Sequence, residues 1–457
     1  MPKDTAEGDG NNISNGGFDN EPLSRDDALD RIKTWLFKSY PIGEGIKWES
    51  VNGHYLWQHY AGEWGASSVA SEVGETISST QSHIAFTRGA ARQYSIPWAV
   101  DFSFWHQGYI NDYTGNSVWG SSSTSSGGHS PSLYKRTMLA AYMGGASHFY
   151  PEAGAVINFT SEIDENGLYK LSPVGEMSKS LNSFVNNNPD VGISYVPLGL
   201  VIDYYHGMFP GDTEIASKKV FQAFDYTQGD EMTYEILESF FPGSWKTIGY
   251  DESTYQVNGP YGDTCDVLLQ NASQEVLDSY PCLILSGNLN LSKKEAERYV
   301  SYAENGGTLI LNTAYLRFFP EYLQIYNGEL RHDIAVGEGK VIIYGTDYSL
   351  SELDGIIKEQ IAKLIPFKIS DDVEYLVNIK ENSIILTLIN NAGYYYDRLS
   401  GEYIDYSKTL SVDISYMRKG EVTEIKELWS GKTLSKSRRS INVNLAPGEV
   451  KILEFSF

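Results

Sequence analysis

Cysteine is almost absent from this chain: Cys265 and Cys282 are the two examples in 457 residues. Two thiols this far apart make neither a disulfide framework, nor a recognisable zinc motif, nor a CxxC redox pair. Two reduced core thiols are expected, with one optional disulfide as the alternative. Positive charge is also short: 35 Lys plus Arg face 59 Asp plus Glu, a formal charge of −24. A phosphate backbone calls for a basic footprint, so nucleic acid is not an expected partner, and an anionic membrane is disfavoured. A solvated acidic surface accounts for the balance. No apolar run approaches the roughly 20 residues of a membrane helix. The opening MPKDTAEGDGNNISNGGFDNEP lacks the apolar stretch of a secretory signal, and residues 1–23 read as a disordered tail or linker. Neither the thiols nor this opening assigns a compartment. HExxH, close His/Cys spacings and GxSxG are missing too, and GGTLIL at 306–311 precedes a strand instead of following one. No metal and no cofactor is expected.

What the chain has in quantity is aromatic residues, including 33 Tyr. Tyr offers flat amphipathic area with a hydrogen-bonding tip, which suits sugars and β-rich cores alike. Seven of the eight His lie at or before His206, and seven of the nine Trp at or before Trp119. The chemistry is therefore expected in the first 200 or so residues.

Residues 24–40 suit an amphipathic helix, with Ser24 and Asp27 as start signals and Ala28, Ile32, Trp35 and Leu36 as its stripe. Residues 53–64 suit a second, aromatic helix. From Ala66 the pattern is strand, helix, strand, helix, strand. The strand at 66–72 puts Ser68, Ala70 and Glu72 on one face. In the helix at about 78–94, Ser78 and Gln81 fit a capping box, and Ile77, Ile84 and Ala91 form one buried stripe. The strand at 97–105 alternates Trp98, Val100, Phe102 and Phe104 with Ala99, Asp101, Ser103 and Trp105. A long Gly, Ser, Asn and aromatic loop at 106–129 follows the strand's carboxyl end, a position that favours function. Ser130–Pro131 opens a helix that Gly144–Gly145 closes. The strand at 147–154 then places His148, Tyr150 and Glu152 on one face, and Ser172–Pro173 opens a helix to about Asn186.

Each strand thus carries a carboxylate near its carboxyl end, where an α/β barrel builds its active site. Glycoside hydrolysis needs two such groups, one to protonate the leaving oxygen and one to attack the sugar or activate water. Glu72, Asp101 and Glu152 are the candidates, with Glu75 in the SEVGE turn as a fourth. Alternatively these carboxylates bind a cation, cap a helix, or pair with Arg88, Arg92 or Arg136. Trp105, Tyr109, Tyr113 and Trp119 offer stacking surfaces for sugar rings, His106, His129 and His148 offer donors to hydroxyls, and Tyr150 is a further substrate-binding candidate. The loop aromatics equally suit packing on themselves.

After about residue 190 apolar strands alternate with helices: ISYVPLGLVIDYY, VLLQNASQEVLDSYPCLILSG, a helix near 292–305, NGGTLILN and GKVIIYGTD. That pattern indicates an open, mainly parallel α/β sheet. From about 372 short strands and turns indicate an antiparallel β-sandwich.

Four segments, STQSHIAFTRGAARQYSIPWAVDFSFW, LSPVGEMSKSLNSFV, PYGDTCDVLL and SYPCLILSGN, carry a resemblance to family 42 glycoside hydrolases, the trimeric β-galactosidase type. The resemblance runs from about residue 50 to the end and extends to uncharacterised bacterial relatives of that family. It implies an α/β protein with a partial (β/α)8 TIM-barrel segment at 24–190, a flavodoxin-like (class I amidotransferase-like) trimerisation-type domain at 191–370, and a C-terminal antiparallel β-sandwich at 371–457. It further implies retaining hydrolysis of a glycoside or oligosaccharide, a possible homotrimer, an acid/base after strand four and a nucleophile after strand seven. With 147–154 as strand eight, Asp101 falls on the nucleophile's strand, where the family carries Glu. Five further βα units of about 30 residues each are then owed upstream of residue 66. Either the chain continues a longer enzyme, or another polypeptide completes the barrel, or the barrel has degenerated into a non-catalytic sugar-binding or assembly protein. An amidotransferase-like role for 195–365 is a third reading, with Cys265 and Cys282 outside any nucleophile elbow.

Overall fold

A computed structural model describes residues 20–40, 42, 45–52, 56–74, 79–103, 110–111, 117–118, 130–152, 154–207, 219–221, 223–244, 255–397 and 401–457. Helix α1 (Arg25–Ser39) starts where its cap signal lies: the Ser24 hydroxyl accepts from the Asp27 N–H, and Ala28, Leu29 and Ile32 turn inward. Strand β1 (Glu49–Asn52) follows, then the short helix α2 (Gln58–Glu63), about half the aromatic helix expected. Next come β2 (Ser68–Gly74), α3 (Thr80–Tyr94), β3 (Trp98–Ser103), α4 (Pro131–Met143), β4 (His148–Pro151) and α5 (Pro173–Asn187). The four strands form one parallel sheet in the order β1-β2-β3-β4. Val69, Val73, Trp98, Val100 and Phe102 point from one face into a core shared with α3 and α4.

Two expectations concern α3. Ser78 of the expected capping box lies outside the described residues. Ser79 occupies the cap position in left-handed backbone (φ 60°) without a side-chain cap bond. Its hydroxyl bonds Ser82 and Ser244 instead, and the Gln81 amide is spent on the backbone of Val257. Gln81 is thus committed to a tertiary partner. Helix α3 does not bury the single stripe expected, since every residue from Thr80 to Ala91 is buried. It is enclosed because it packs on two sheets at once.

The second sheet begins with β5 (Leu198–Ile202), followed by α6 (Gln228–Phe240), β6 (Cys265–Leu269), β7 (Cys282–Leu285), α7 (Lys293–Glu304), β8 (Thr308–Asn312), β9 (Arg331–Val336), β10 (Gly339–Tyr344) and α8 (Leu353–Leu364). Its order is β6-β5-β7-β8-β10-β9, parallel except for the β9–β10 hairpin. The segment ISYVPLGLVIDYY is therefore not one strand. Pro197, which has no N–H to give a ladder, separates β5 from Ile193–Ser194, and that pair joins a different, antiparallel sheet.

That antiparallel sheet belongs to the last unit: β11 (Phe367–Ile369), β12 (Glu374–Ile379), β13 (Ser383–Ile389), β14 (Leu410–Tyr416), β15 (Glu424–Glu427), β16 (Lys432–Lys436), β17 (Ser440–Leu445) and β18 (Val450–Ser456). A three-stranded sheet, β11-β14-β17, and a six-stranded one enclose a common apolar core that includes Phe367, Leu386, Ile414 and Phe455. Among the described residues, no helix is long and apolar enough to cross a membrane.

Cys265 and Cys282 are free and buried. Both sit opposite Leu198, one on each side of β5. Two strand spacings are about 10 Å, beyond the roughly 7 Å reach of a disulfide, so the reduced-thiol expectation holds.

Candidate functional site

The face of the β1–β4 sheet that turns away from the helices collects the polar residues. Register places Glu72 of β2 level with Asp101 of β3, and Asp101 level with Tyr150 of β4. Period-two alternation puts Glu49, Ser68, Ser103 and His148 on this same face. Asp101 is 7% exposed, while Glu72 and Tyr150 are half-buried. Just past β4, the Glu152 N–H donates to the Phe102 carbonyl at 2.9 Å. The Ser103 hydroxyl donates to Glu152 Oε2 at 3.1 Å. Three of the expected carboxylates are thus gathered by the sheet. Tyr150 joins them, stacked on His148 with ring centroids 6.0 Å apart.

Glu49 was not anticipated and lies at the centre of the contacts. Its Oε2 accepts from the Ser68 hydroxyl at 2.7 Å and lies 3.2 Å from His148 Nε2. Tyr150 also hydrogen-bonds to it. In a flat sheet β1 and β4 would stand three spacings apart, about 14 Å, so these contacts mean that the face is concave. Burial, with the charges of Asp101 and Glu49 adding, pushes the Tyr150 phenol well above its ordinary range. It stays protonated and serves as a donor. The ESVN strand carries one β-branched apolar residue and no alternation. The signal that could have revealed it is architectural: α2 is followed by β2 and so calls for a strand before it.

Glu75, Trp105, His106, Tyr109, Tyr113, Trp119 and His129 lie outside the described residues. Arg88 and Arg92 bind Asp263 and Asp266, and Arg136 donates to Asn391. No group of His, Cys, Asp and Glu among the described residues is arranged to hold a metal.

The fold resembles that of GH42 β-galactosidases. No family model matches the sequence, and no curated protein matches it. Gan42B, a GH42 β-galactosidase from G. stearothermophilus, superposes with a TM-score of 0.52 over 100% of this chain and 70% of its own, at 10% identity. The β-galactosidase of Rahnella sp. R3 gives 0.52 over 98% and 69%, at 11% identity. An α-L-fucosidase isoenzyme 2 from Paenibacillus thiaminolyticus gives 0.51 over 95% and 71%, at 11% identity. Likeness at such identities is a likeness of fold.

Open α/β sheets bind ligands where strand order reverses, outside the carboxyl ends, here β5 and β7. That crevice is filled by the chain itself. Arg25 of α1 forks onto Asp230 at 2.6 and 3.0 Å and approaches Asp203 at 3.8 Å. Burial, with Asp230 adding, pushes Asp203 up to about 6. The thiols offer no nucleophile, since burial pushes Cys282 up to about 12 and Cys265 higher. A cleft of about 580 Å³ lies between the amino ends of α4 and α5 and the sandwich, lined by Pro131, Pro173, Met177 and Tyr394 among others. None of the inward carboxylates lines it, and its one cation, Lys135, sits 4.1 Å over the Trp429 ring. It is a packing seam between units.

Proposed function

We propose that this chain is a glycoside hydrolase-like protein acting on β-linked glycosides through a pair of the inward carboxylates. The three-unit division at 24–190, 191–370 and 371–457, and trimeric assembly, belong to the same proposal. The carrying observation is the row of Glu72, Asp101 and Tyr150 across three parallel strands, flanked by Glu49 and Glu152 on one concave face. In this reading Asp101 faces the anomeric carbon, and Glu152, steadied by Ser103, handles the proton. Tyr150 donates to a sugar hydroxyl. Glu75 and the aromatic and imidazole groups Trp105, His106, Tyr109, Trp119 and His129 line the subsite rim.

The runner-up is a sugar-binding or assembly protein without turnover. It is favoured by one observation: the described sheet that carries these carboxylates has four strands, where a closed barrel of this kind has eight.

Glu152→Gln separates the readings when assayed on aryl glycosides. Losing a general acid costs roughly 10²–10⁴-fold in rate, with an unchanged melting temperature. Undiminished turnover removes Glu152 from the machinery. Saturable sugar binding by the parent chain, with no product after prolonged incubation, selects the runner-up.

A further inference from the structure

Four polar side chains from three strands meet at one end of the concave face, and their contacts converge on one carboxylate. Glu49 of β1 takes the Ser68 hydroxyl of β2 at 2.7 Å and faces the His148 imidazole of β4 at 3.2 Å, both through Oε2. The Tyr150 hydroxyl, also from β4, is its third partner. An ionised carboxylate only accepts, so the Nε2 nitrogen and the phenol oxygen each turn a proton toward it. The other imidazole nitrogen, Nδ1, lies 3.0 Å from Ser147 Oγ, and that hydroxyl donates to the Trp98 carbonyl at 2.9 Å. The two rings stack at an interplanar angle of 11°. Glu49 thus holds both β4 rings by their polar atoms while their faces brace each other. The cluster is open to the face: the Glu49 side chain is 22% exposed and that of His148 47%. An ion pair this open adds little stability, so bracing the sheet does not account for it.

We propose that Glu49 is the specificity-determining residue of this face, and that with Tyr150 it binds a hydroxyl group of the sugar while Asp101 and Glu152 keep the roles given above. The inference rests on the glycoside reading and holds for either form of it, hydrolysis or binding alone. A sugar hydroxyl has one proton to give and lone pairs to receive. Glu49 supplies the acceptor it needs and Tyr150 the donor, side by side and already oriented. The hydroxyl enters between them: it donates to the carboxylate and takes over the phenol proton that otherwise goes to Glu49. A carboxylate offers about four acceptor positions; Ser68 and His148 take two and fix its orientation, which leaves room for the sugar. Tyr150 stands level with Asp101 across β3 and β4, so the hydroxyl bound here belongs to the same ring that Asp101 meets. A site built to hydrogen-bond a hydroxyl strongly rejects the analogue that lacks it, because its own polar groups are then left unpaired.

Titration calorimetry with methyl β-glycosides reads binding without turnover. The parent chain is titrated with methyl β-galactoside and methyl β-glucoside, then with the monodeoxy forms of the tighter binder. Deleting the recognised hydroxyl is expected to weaken binding by roughly 10–100-fold, the range for a hydrogen bond to a charged group. Glu49→Ala should weaken the full sugar by a similar factor and should no longer tell that deoxy form from the full sugar. Its losses with the other deoxy forms should match those of the parent chain. Such non-additivity with a single hydroxyl marks direct contact, whereas a role in folding alone would weaken every ligand alike. Tyr150→Phe, which removes only the phenol oxygen and its proton, should lose the same discrimination, so the result does not hang on the stability of one variant. Equal discrimination by Glu49→Ala and the parent chain overturns the assignment of Glu49 and leaves the glycoside reading standing. Failure of the parent chain to bind any of these sugars overturns both.

Discussion

Glu374 shows how much one residue can be changed by its surroundings. It opens β12, is 3% exposed, and accepts from the Asn391 side-chain amide. Burial, with Asp263 adding, pushes its carboxyl from 4.5 up to about 8. The unfolded chain releases this proton near the ordinary value, so between those two pH values the folded state holds a proton that the unfolded state has lost. The resulting stabilisation is complete below 4.5 and disappears as pH rises through about 8. Urea midpoints should therefore fall across that window, and Glu374→Gln, which keeps the neutral shape, should flatten the fall. An unaltered slope in the variant would assign the pH dependence to other groups.

Among the elements, α3 connects the sheets. Gly89 lets the helix backbone lie against β6: a Cβ there would come within 1.9 Å of the Val267 carbonyl oxygen. From α2, His59 Nε2 reaches the same oxygen at 2.9 Å. Burial, the larger effect, drives the His59 imidazole down to about 4, so it is neutral at physiological pH. Ordinary overpacking costs about 1–3 kcal/mol, and a backbone contact this short cannot be relieved by a rotamer change. Gly89→Ala is expected to lose at least that much in chemical denaturation, even though alanine is the better helix former. A stabilised Gly89→Ala would show that α3 stands off β6 in solution.

For the whole molecule, the decisive feature is the charge cluster between the first two units. Arg88, 1% exposed, forks onto Asp263 at 2.7 Å and reaches Asp266 at 2.6 Å; Arg92 and the Tyr280 hydroxyl complete the Asp266 shell. Removing one partner of a buried pair costs about 3–5 kcal/mol because the other charge is left unpaired. Arg88→Ala should lose that much and should also uncouple the sheets. Calorimetry is expected to show one main transition in the parent chain and two in the variant. A single, merely shifted transition in Arg88→Ala would mean that the cores in α3 and β12, not the ion cluster, hold the units together.

Much of this protein follows from local pattern. The caps at Ser24, Ser130 and Ser172 sit where a hydroxyl precedes the first helical turn, and each accepts the N–H expected of it. Alternation in β3 placed Asp101 and Ser103 opposite Trp98, Val100 and Phe102, because side chains in a strand point to opposite faces whatever surrounds them. The same rule set Glu72 and Tyr150 on their faces. Tertiary structure decided the rest. β1 is too short and too polar to announce itself, and it exists because β2 offers a parallel edge. Glu49 becomes a site residue because curvature carries it to His148 and Tyr150 from three strands away. Gln81 gives its side chain to Val257 and Ser79 its hydroxyl to Ser244, each more than 160 residues distant. Ile193–Ser194 leaves its neighbour β5 for another sheet. Local sequence sets which way a side chain points. Which distant groups it then meets depends on how the sheets curve and stack.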